Sequence, residues 1–305
     1  MAVISQADRE ADLVGPDQER REETSRRARR SARGTGPVGT VLRYLAASGF
    51  VLAALFPILW LAISGFKART EVVKTPFQFF PEVWRFENYV QILQDPTFVR
   101  TIAITFAGAA AFTMLSVTVN SMAAYVFARL DFPFKRVLWV VVIMTMFIPW
   151  MAIMLTSFLV VSQLRMLDTL AVLILPPAAS AAHIFLMRQY YLTIPTSLED
   201  AALIDGCGRW RIFRHIFLPM SKPVFVVVGV MSFMFYWNSY VWPVMTITSR
   251  ELYQVQQYLA AFRSERASEL GLLMAGSMLA ALPVIIVFLV FQRHIVAGIK
   301  LSGIK

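Results

Sequence analysis

The chain has 305 residues, of which 57% are hydrophobic and only 16% are charged. Soluble domains carry about 25% charged residues, and the mean hydropathy of +0.60 is far above the usual range of soluble proteins. This composition excludes a soluble enzyme, a disordered chain and a disulfide-stapled secreted module. The single cysteine, Cys207, also excludes an internal disulfide and a cysteine-cluster metal site.

Long stretches without Lys, Arg, Asp or Glu dominate the sequence. A helix needs about 20 predominantly apolar residues to cross the hydrocarbon core of a bilayer. The sequence predicts six transmembrane helices, over residues 44–66, 101–128, 137–164, 169–187, 223–249 and 270–292. The fourth is the weakest because it contains Pro176, Pro177 and His183. We therefore predict an all-α polytopic membrane protein, with a disordered basic cytoplasmic tail over residues 1–43 and a transmembrane domain over residues 44–305.

The charges in the connections predict the orientation of the chain. One side of the membrane receives the N-terminal tail, 129–136, 188–222 and the C-terminal tail, with 20 basic and 11 acidic residues; the other side receives 9 and 8. Basic residues are enriched in cytoplasmic connections, so both termini are predicted to be cytoplasmic. The net charge of +10 then reflects topology and not nucleic-acid binding, and the Arg-rich tail is expected to lie along anionic lipid headgroups.

The predicted spans contain no ionisable Asp, Glu, Lys or Arg. Secondary carriers often place such a residue near the membrane midplane, and a chain that hydrolyses ATP typically carries a G-x-x-x-x-G-K-[ST] loop. The sequence contains neither feature. We therefore expect no enzymatic activity, no metal and no cofactor in this chain, and an energy source in a separate subunit. A stand-alone secondary carrier or channel is the alternative.

Polar residues inside the predicted spans have two possible roles, since they either hold helices together or line a pathway. The fifth span contains the run Tyr236–Pro243, with sequence YWNSYVWP. Its aromatic rings and amide suit stacking on a sugar ring and hydrogen bonding to hydroxyls, whereas an aromatic belt at the membrane interface is the alternative. The candidate substrate-pathway residues are Trp237, Asn238, Tyr240 and Asn120.

The segment 188–222 carries the most specific pattern. Pro195 ends one helix, and Thr196 with Glu199, or Ser197 with Asp200, forms a capping box that begins the next. Gly206 and Gly208 separate it from a second short helix over Arg209–Leu218. Acidic residues on the first helix and basic residues on the second predict a docking element for a soluble partner. An amphipathic loop on the membrane surface is the alternative.

Within this segment, EDAALIDG from Glu199 to Gly206 and IFLP from Ile216 to Pro219 resemble the EAA loop of ABC importer permeases, with its pattern E-A-A-x-x-x-G, nine residues and I-x-L-P. Further stretches resemble the maltose-type carbohydrate permeases, namely Glu87–Tyr89, Ala123–Arg129, Phe185–Gln189, Trp237 and Asn238 with Pro243, and Leu282 with Pro283. The resemblance therefore extends over about residues 41–305. Asp200 departs from the pattern at the first Ala, and Ser239 departs where an acidic residue often follows Trp-Asn.

The resemblance implies a permease subunit of the inner membrane with six helices and a cytoplasmic coupling hairpin. Its implied partners are a second permease subunit, a dimer of ABC ATPases that binds the ATP, and an extracytoplasmic solute-binding protein. The aromatic content favours a sugar or oligosaccharide over glycerol-phosphate or another polar solute. The residues implied in ATPase coupling are Glu199, Asp200, Ala201, Ala202, Asp205, Gly206, Arg209, Arg214, Ile216, Leu218 and Pro219.

Overall fold

The computed structural model describes residues 37–265 and 269–302. The described residues divide into two units, one that ends at residue 59 and one that begins at residue 60. The first helix, α1 (Pro37–Ser64), begins at Pro37 and not at Tyr44, where the predicted span starts. Its apolar side chains between residues 41 and 59 are exposed, as lipid-facing side chains are. The remainder of the predicted tail, residues 1–36, lies outside the described residues.

The second unit contains the remaining elements. They are α2 (Arg69–Val72), α3 (Glu87–Gln94), α4 (Pro96–Arg129), α5 (Lys135–Thr145), α6 (Trp150–Gln163), α7 (Leu170–Ile174), α8 (Ala181–Leu192), α9 (Thr196–Ile204), α10 (Arg209–Ile212), a π-helical turn (Phe213–Phe217), α11 (Leu218–Met220), α12 (Lys222–Trp237), α13 (Val241–Thr246), a 3-10 turn (Arg250–Leu252), α14 (Val255–Glu265) and α15 (Leu270–Ser302).

The long helix α4 is the centre of the second unit, and it packs against α8 and α12. Its N-terminus is capped by Asp95, whose Oδ1 accepts a hydrogen bond from the Thr97 amide at 2.8 Å, and Pro96 occupies the first turn, where it loses no hydrogen bond. The helix ends at Arg129. On its far side α12 packs against α15, and α15 also packs against α3 and α14.

The described residues contain three uninterrupted helices that are long and apolar enough to cross a membrane, over Gly39–Ser64, Pro96–Arg129 and Leu270–Arg293. The count rises to five if each of two bent pairs is one crossing. One pair is α5 with α6, bent by 103°, and the other is Arg209–Met220 with α12, bent by 79°. The prediction of a single helix over residues 169–187 is wrong, because this stretch divides into α7 and the start of α8.

Proline residues account for the interruptions. Proline has no amide hydrogen, and its ring clashes with the carbonyl four residues earlier in a helix. Pro149 stands at the N-cap of α6, directly after the bend in the third predicted span. Pro176 and Pro177 lie between α7 and α8, and Pro243 lies in α13, which follows the irregular residues 238–240. Three predicted spans are therefore discontinuous.

The Glu87–Tyr89 motif holds α3 against the end of α1. Asn88 Nδ2 donates to the carbonyl oxygens of Gly65 at 2.9 Å and Lys67 at 3.1 Å, and Tyr89 Oη donates to that of Ala62 at 2.7 Å. The last carbonyls of a helix lack partners within the helix. Tyr89 supplies such a partner to Ala62, and Asn88 bonds to two carbonyls of the turn that follows, so the motif has a structural role at this junction.

A strained turn joins the third and fourth predicted spans. Arg165 and Asp168 adopt positive φ angles of 55° and 59°, in the left-handed region that side chains other than glycine rarely occupy. The Asp168 carboxylate accepts hydrogen bonds from the amides of Thr248 at 3.0 Å and Ser249 at 2.9 Å. Hydrogen bonds from Ser249 and Thr248 lower the pKa of Asp168 below its ordinary value. The ionised carboxylate thus fixes this turn to the segment that follows α13.

Candidate functional site

The segment that resembles the EAA loop forms two helical arms and a tight turn. The first arm is α9, and the second runs from Arg209 to Met220 through the π-helical turn. Gly206 lies in the turn with φ of 76°, a conformation that glycine adopts without strain. Gly208 precedes the second arm with an ordinary φ of −71°. The segment therefore consists of two helical arms joined by a turn, and we call residues 196–220 the hairpin.

An aromatic cluster attaches the second arm of the hairpin to α4 and α8. Phe213 and Phe217 are buried and pack with Tyr125 from α4 and Tyr191 from α8. The Phe217 ring lies 4.9 Å from that of Tyr125 and 5.4 Å from that of Tyr191, both edge-on. Aromatic pairs of this geometry contribute about 0.5–1.5 kcal/mol each beyond their buried area. The hairpin base is therefore firmly packed on two helices.

Glu199 is buried inside the hairpin and does not cap its helix. Pro195 occupies the N-cap of α9, and no side chain accepts a hydrogen bond there, so the predicted capping box is wrong. The Glu199 residue is only 6% exposed. Its Oε1 accepts a hydrogen bond from the Arg209 guanidinium, and its Oε2 lies 3.9 Å from Arg129 Nε. The carboxylate is thus compensated by a hydrogen bond from Arg209 and by the nearby charge of Arg129, and not by backbone amides.

The other residues implied in coupling lie on or near the hairpin surface. The exposed ones are Asp200, Ala201, Asp205, Gly206, Arg209, Arg214 and Pro219, and the half-buried ones are Ala202, Ile216 and Leu218. Large apolar side chains accompany them: Ile204 is 87% exposed and Trp210 is 61% exposed. Clustered apolar exposure with a polar rim marks a protein interaction surface.

A cavity of about 340 Å³ lies where three discontinuous spans meet. Trp150 comes from the bend between α5 and α6, Pro177 from the interruption between α7 and α8, and Asn238 and Ser239 from the irregular residues after α12. Trp242 also lines it, with its ring 5.6 Å from that of Trp150 in an edge-on arrangement. Irregular backbone at membrane depth is tolerated where it lines a cavity or is buried in protein.

Two residues that line this cavity also carry a buried polar group that lacks a hydrogen-bond partner among the described residues. The groups are the hydroxyl of Tyr236, which is 4% exposed, and Oε1 of Gln254, which is 1% exposed. An unpaired buried polar group costs about 1–3 kcal/mol.

The predicted pathway residues separate into two groups. Asn238 is exposed and lines the cavity, and Tyr240 is 45% exposed in the same irregular stretch. Trp237 is 1% exposed, stacks on Phe233 and donates from Nε1 to the Ala280 carbonyl at 3.1 Å. Asn120 is fully buried, and its amide bonds to the backbone between α7 and α8. Trp237 and Asn120 thus hold helices together in this structure.

Sequence reasoning missed three residues of these sites. Trp150 carries a signal in retrospect, because it directly follows Pro149 in an apolar stretch. Gln254 lies in a connection between predicted spans, and no local pattern connects it with the fifth span. Arg129 closes the Ala123–Arg129 motif, but its contacts with α8 and with the connection after α8 bridge more than 60 residues of sequence.

Comparison with known proteins places this architecture in a family. The family model for binding-protein-dependent transport system inner membrane components matches residues 120–301. The arabinooligosaccharides transport system permease protein AraQ of Bacillus subtilis is 30% identical over 83% of this chain and 92% of its own length. The sn-glycerol-3-phosphate transport system permease protein UgpE of Escherichia coli is 29% identical over 82% of this chain and 92% of its own length.

A solved structure shares the fold. It is the crystal structure of a bacterial ABC transporter that imports the acidic polysaccharide alginate, with a TM-score of 0.74 and 24% sequence identity over 84% of this chain and 96% of the matched one. The family match covers more than half of the chain, and the relatives are matched over most of their length. This chain therefore belongs to the binding-protein-dependent transport system inner membrane components, the permeases of ABC importers.

Proposed function

We propose that the chain imports a neutral sugar or oligosaccharide as one permease subunit of its transporter. The cavity at the helix interruptions is the observation that supports this proposal most directly. It offers indole rings from Trp150 and Trp242 for stacking, and Asn238, Ser239 and Gln254 for hydrogen bonds to hydroxyls. Pockets of this kind, mostly apolar with a few polar groups, suit small-molecule recognition.

The proposed topology has six crossings, with both termini cytoplasmic. In this topology the bent pair of α5 and α6 is the third crossing, the residues from α7 to α8 make an interrupted fourth one, and α12 with α13 makes the fifth. The charge asymmetry of the connections supports the orientation. The hairpin then lies in the cytoplasm, while the turn at residues 165–168 and helix α14 lie outside. A cytoplasmic tail over 1–43 and a permease domain over 44–305 complete the proposed organisation.

The hairpin is proposed to dock on a separate ABC ATPase, which binds and hydrolyses the ATP. Its exposed apolar side chains, Ile204 and Trp210, stand beside the charged residues Asp205 and Arg211. Apolar anchors provide most of the affinity of an interface, and rim charges fix its register. The remaining proposed partners are a second permease subunit, an ATPase dimer and an extracytoplasmic solute-binding protein. Membrane lipid surrounds the assembly.

Gly206→Ala is expected to weaken ATPase docking about tenfold, whereas Gly208→Ala leaves it within twofold. A Cβ at either position meets no atom within 4 Å, so neither variant clashes. Only Gly206 has a left-handed φ, which costs an alanine about 1–2 kcal/mol and therefore reshapes the turn. Titration of the co-expressed ATPase against the purified chain measures both affinities. Equal affinities for the two variants would contradict a docking role for the turn.

A phosphorylated solute is the second candidate, since UgpE is among the relatives. Proteins typically bind phosphate groups through charge-assisted hydrogen bonds from Arg or Lys side chains to the phosphate oxygens. None of the described residues that line the cavity is charged, so the cavity offers a phosphate group no bond of this kind. Uptake of radiolabelled lactose, arabinotriose and glycerol 3-phosphate into proteoliposomes of the complete transporter distinguishes the candidates. Uptake without ATP or without the ATPase would contradict the importer itself.

Asn238→Ala and Trp150→Ala are each expected to lower ATP-dependent sugar uptake about fivefold with ATPase docking intact. One hydrogen bond or one stacked ring contributes about 1 kcal/mol to binding a solute. Phe288→Ala is the matched control, because this ring is exposed on α15 and does not line the cavity. Uptake kinetics of the three variants in the same proteoliposomes give the comparison. Wild-type uptake kinetics in both cavity variants would contradict the proposal that this cavity is part of the transport pathway.

A further inference from the structure

Arg129 is the last residue of α4, and its side chain is buried beneath the hairpin at 6% exposure. Its Nη2 donates to the carbonyl oxygen of Tyr191 at 2.6 Å and also to that of Ile194. These carbonyls belong to the end of α8 and to the connection that leads into α9. A guanidinium at a helix C-terminus satisfies carbonyls that have no partner within the helix.

The same guanidinium reaches both arms of the hairpin. Its Nε lies 3.9 Å from Glu199 Oε2 on the first arm, and its Cζ lies 5.2 Å from the centre of the Phe217 ring on the second. Arg209 from the second arm donates to the other oxygen of Glu199. One side chain of α4 therefore touches α8, the connection after it, and both arms.

We infer that Arg129 is a positioning residue that makes the cytoplasmic end of α4 move together with the hairpin. This inference rests on the proposed coupling of the hairpin to an ATPase. Removing one partner of a buried ion pair leaves an uncompensated charge at a cost of about 3–5 kcal/mol. A hairpin that moved alone would take Glu199 away from Arg129, so the buried charge of Arg129 would lose its carboxylate, whereas Glu199 would keep Arg209. Moving the end of α4 with the hairpin avoids that loss.

Helix α4 also has a contact that leads to the cavity. Asn120 lies on the same helix as Arg129, and it holds the backbone of Ala178 and Ser180 at the interruption between α7 and α8. Pro177 in that interruption lines the cavity. A displacement of α4 at Arg129 thus reaches the cavity through a continuous helix and two hydrogen bonds. The geometry provides a physical route from hairpin to cavity, and Arg129 is its first element.

Distance measurements between spin labels test this inference without any transported substrate. Labels on cysteines at Ser197 and Thr118, both exposed, report on the hairpin and α4 in a Cys207→Ser background of the assembled transporter. In the parent chain, the label–label distance is expected to stay the same when a non-hydrolysable ATP analogue binds. In Arg129→Gln it is expected to shift by more than the width of the parent distribution. A nucleotide-dependent distance in the parent, or a constant one in Arg129→Gln, overturns the inference.

Arg188→Gln is the matched control. Arg188 Nε donates to the Phe127 carbonyl of α4 at 3.1 Å, and its guanidinium lies 4.4 Å from the Trp139 ring of α5. These contacts resemble those of Arg129 but are made outside the hairpin, so a general loss of packing affects both variants. The distance in Arg188→Gln is expected to stay constant on nucleotide binding. The same shift in Arg188→Gln as in Arg129→Gln overturns the specific role of Arg129.

Arg129→Lys provides a second test of the inference that does not depend on the folding of Arg129→Gln. A lysine retains the positive charge, but its single ammonium lacks the planar fork that reaches two carbonyls and a carboxylate together. We expect it to fold and to lower sugar uptake per ATP hydrolysed about threefold, and an unchanged ratio overturns the inference. Failure of the proposed function is a separate outcome, because it appears in the unmutated chain as loss of ATPase docking or of ATP-dependent uptake.

Discussion

Replacing Asn120 by alanine is expected to lower the free energy of unfolding by about 2 kcal/mol. Its Nδ2 lies 2.6 Å from the Ser116 carbonyl and 2.9 Å from that of Ala178, and its Oδ1 accepts from the Ser180 amide at 2.8 Å. Hydrogen bonds between membrane helices contribute about 0.6 kcal/mol each on average. The alanine variant also leaves two backbone groups of the interruption without their partner, at about 1 kcal/mol or more each.

Asn238→Ala is the matched control for this prediction. Asn238 is exposed, and its Nδ2 donates to the Met234 carbonyl within the same helical turn at 2.9 Å. Its removal is expected to change stability by less than about 0.5 kcal/mol. Denaturant unfolding of both variants in detergent measures the difference. Equal losses would contradict the assignment of Asn120 to structure and Asn238 to the cavity.

The contrast between the two asparagines shows what a sequence pattern can and cannot decide. Each is an amide in an apolar stretch, and the pattern allows helix attachment or pathway lining for both. For Asn120, the role is determined by residues about 60 positions away, because its hydrogen-bond partners are Ala178 and Ser180. Asn238 bonds locally and remains accessible at a break. Only the tertiary arrangement separates these roles.

The long helices were predictable because their chemistry is local. Charge-free stretches of spanning length correspond to α1, α4 and α15, and the sequence also predicts the two arms and the glycine turn of the hairpin. Hydropathy does not report backbone continuity, so the stretches 137–164, 169–187 and 223–249 were predicted as single helices. The prolines at 149, 176, 177 and 243 divide or border these stretches. The resulting breaks create the cavity.

Glu199 illustrates a second limit of local reasoning. Its spacing from Thr196 fits a capping box, and its position in the EAA pattern suggests a side chain that faces a partner. The structure instead buries the carboxylate against Arg209 and close to Arg129. A buried carboxylate needs such compensation, and Arg129 comes from a helix that ends 70 residues earlier. Capping propensity is worth about 1 kcal/mol, too little to compete with two guanidinium groups.

Replacing Gly271 by alanine is expected to destabilise the chain by about 3 kcal/mol or to prevent its folding. A Cβ on this glycine would stand 2.1 Å from the carbonyl oxygen of Lys67 and 2.8 Å from Asn88 Nδ2. Overpacking typically costs about 1–3 kcal/mol, and here the obstructing atom belongs to the backbone. That carbonyl also accepts the Asn88 hydrogen bond at 3.1 Å, so any shift to admit the methyl group breaks this bond.

Gly276→Ala on the same helix separates this clash from a general effect of the substitution. Its Cβ would meet Ile92 Cγ1 at 3.4 Å, an ordinary contact with a flexible side chain, and alanine favours the helix over glycine by up to about 1 kcal/mol. Gly276→Ala is therefore expected to unfold at or slightly above the parent temperature, and Gly271→Ala well below it. Thermal unfolding in detergent measures both. If the two variants unfold at the same temperature, the close approach of α15 to the Lys67 carbonyl does not limit the packing of this helix.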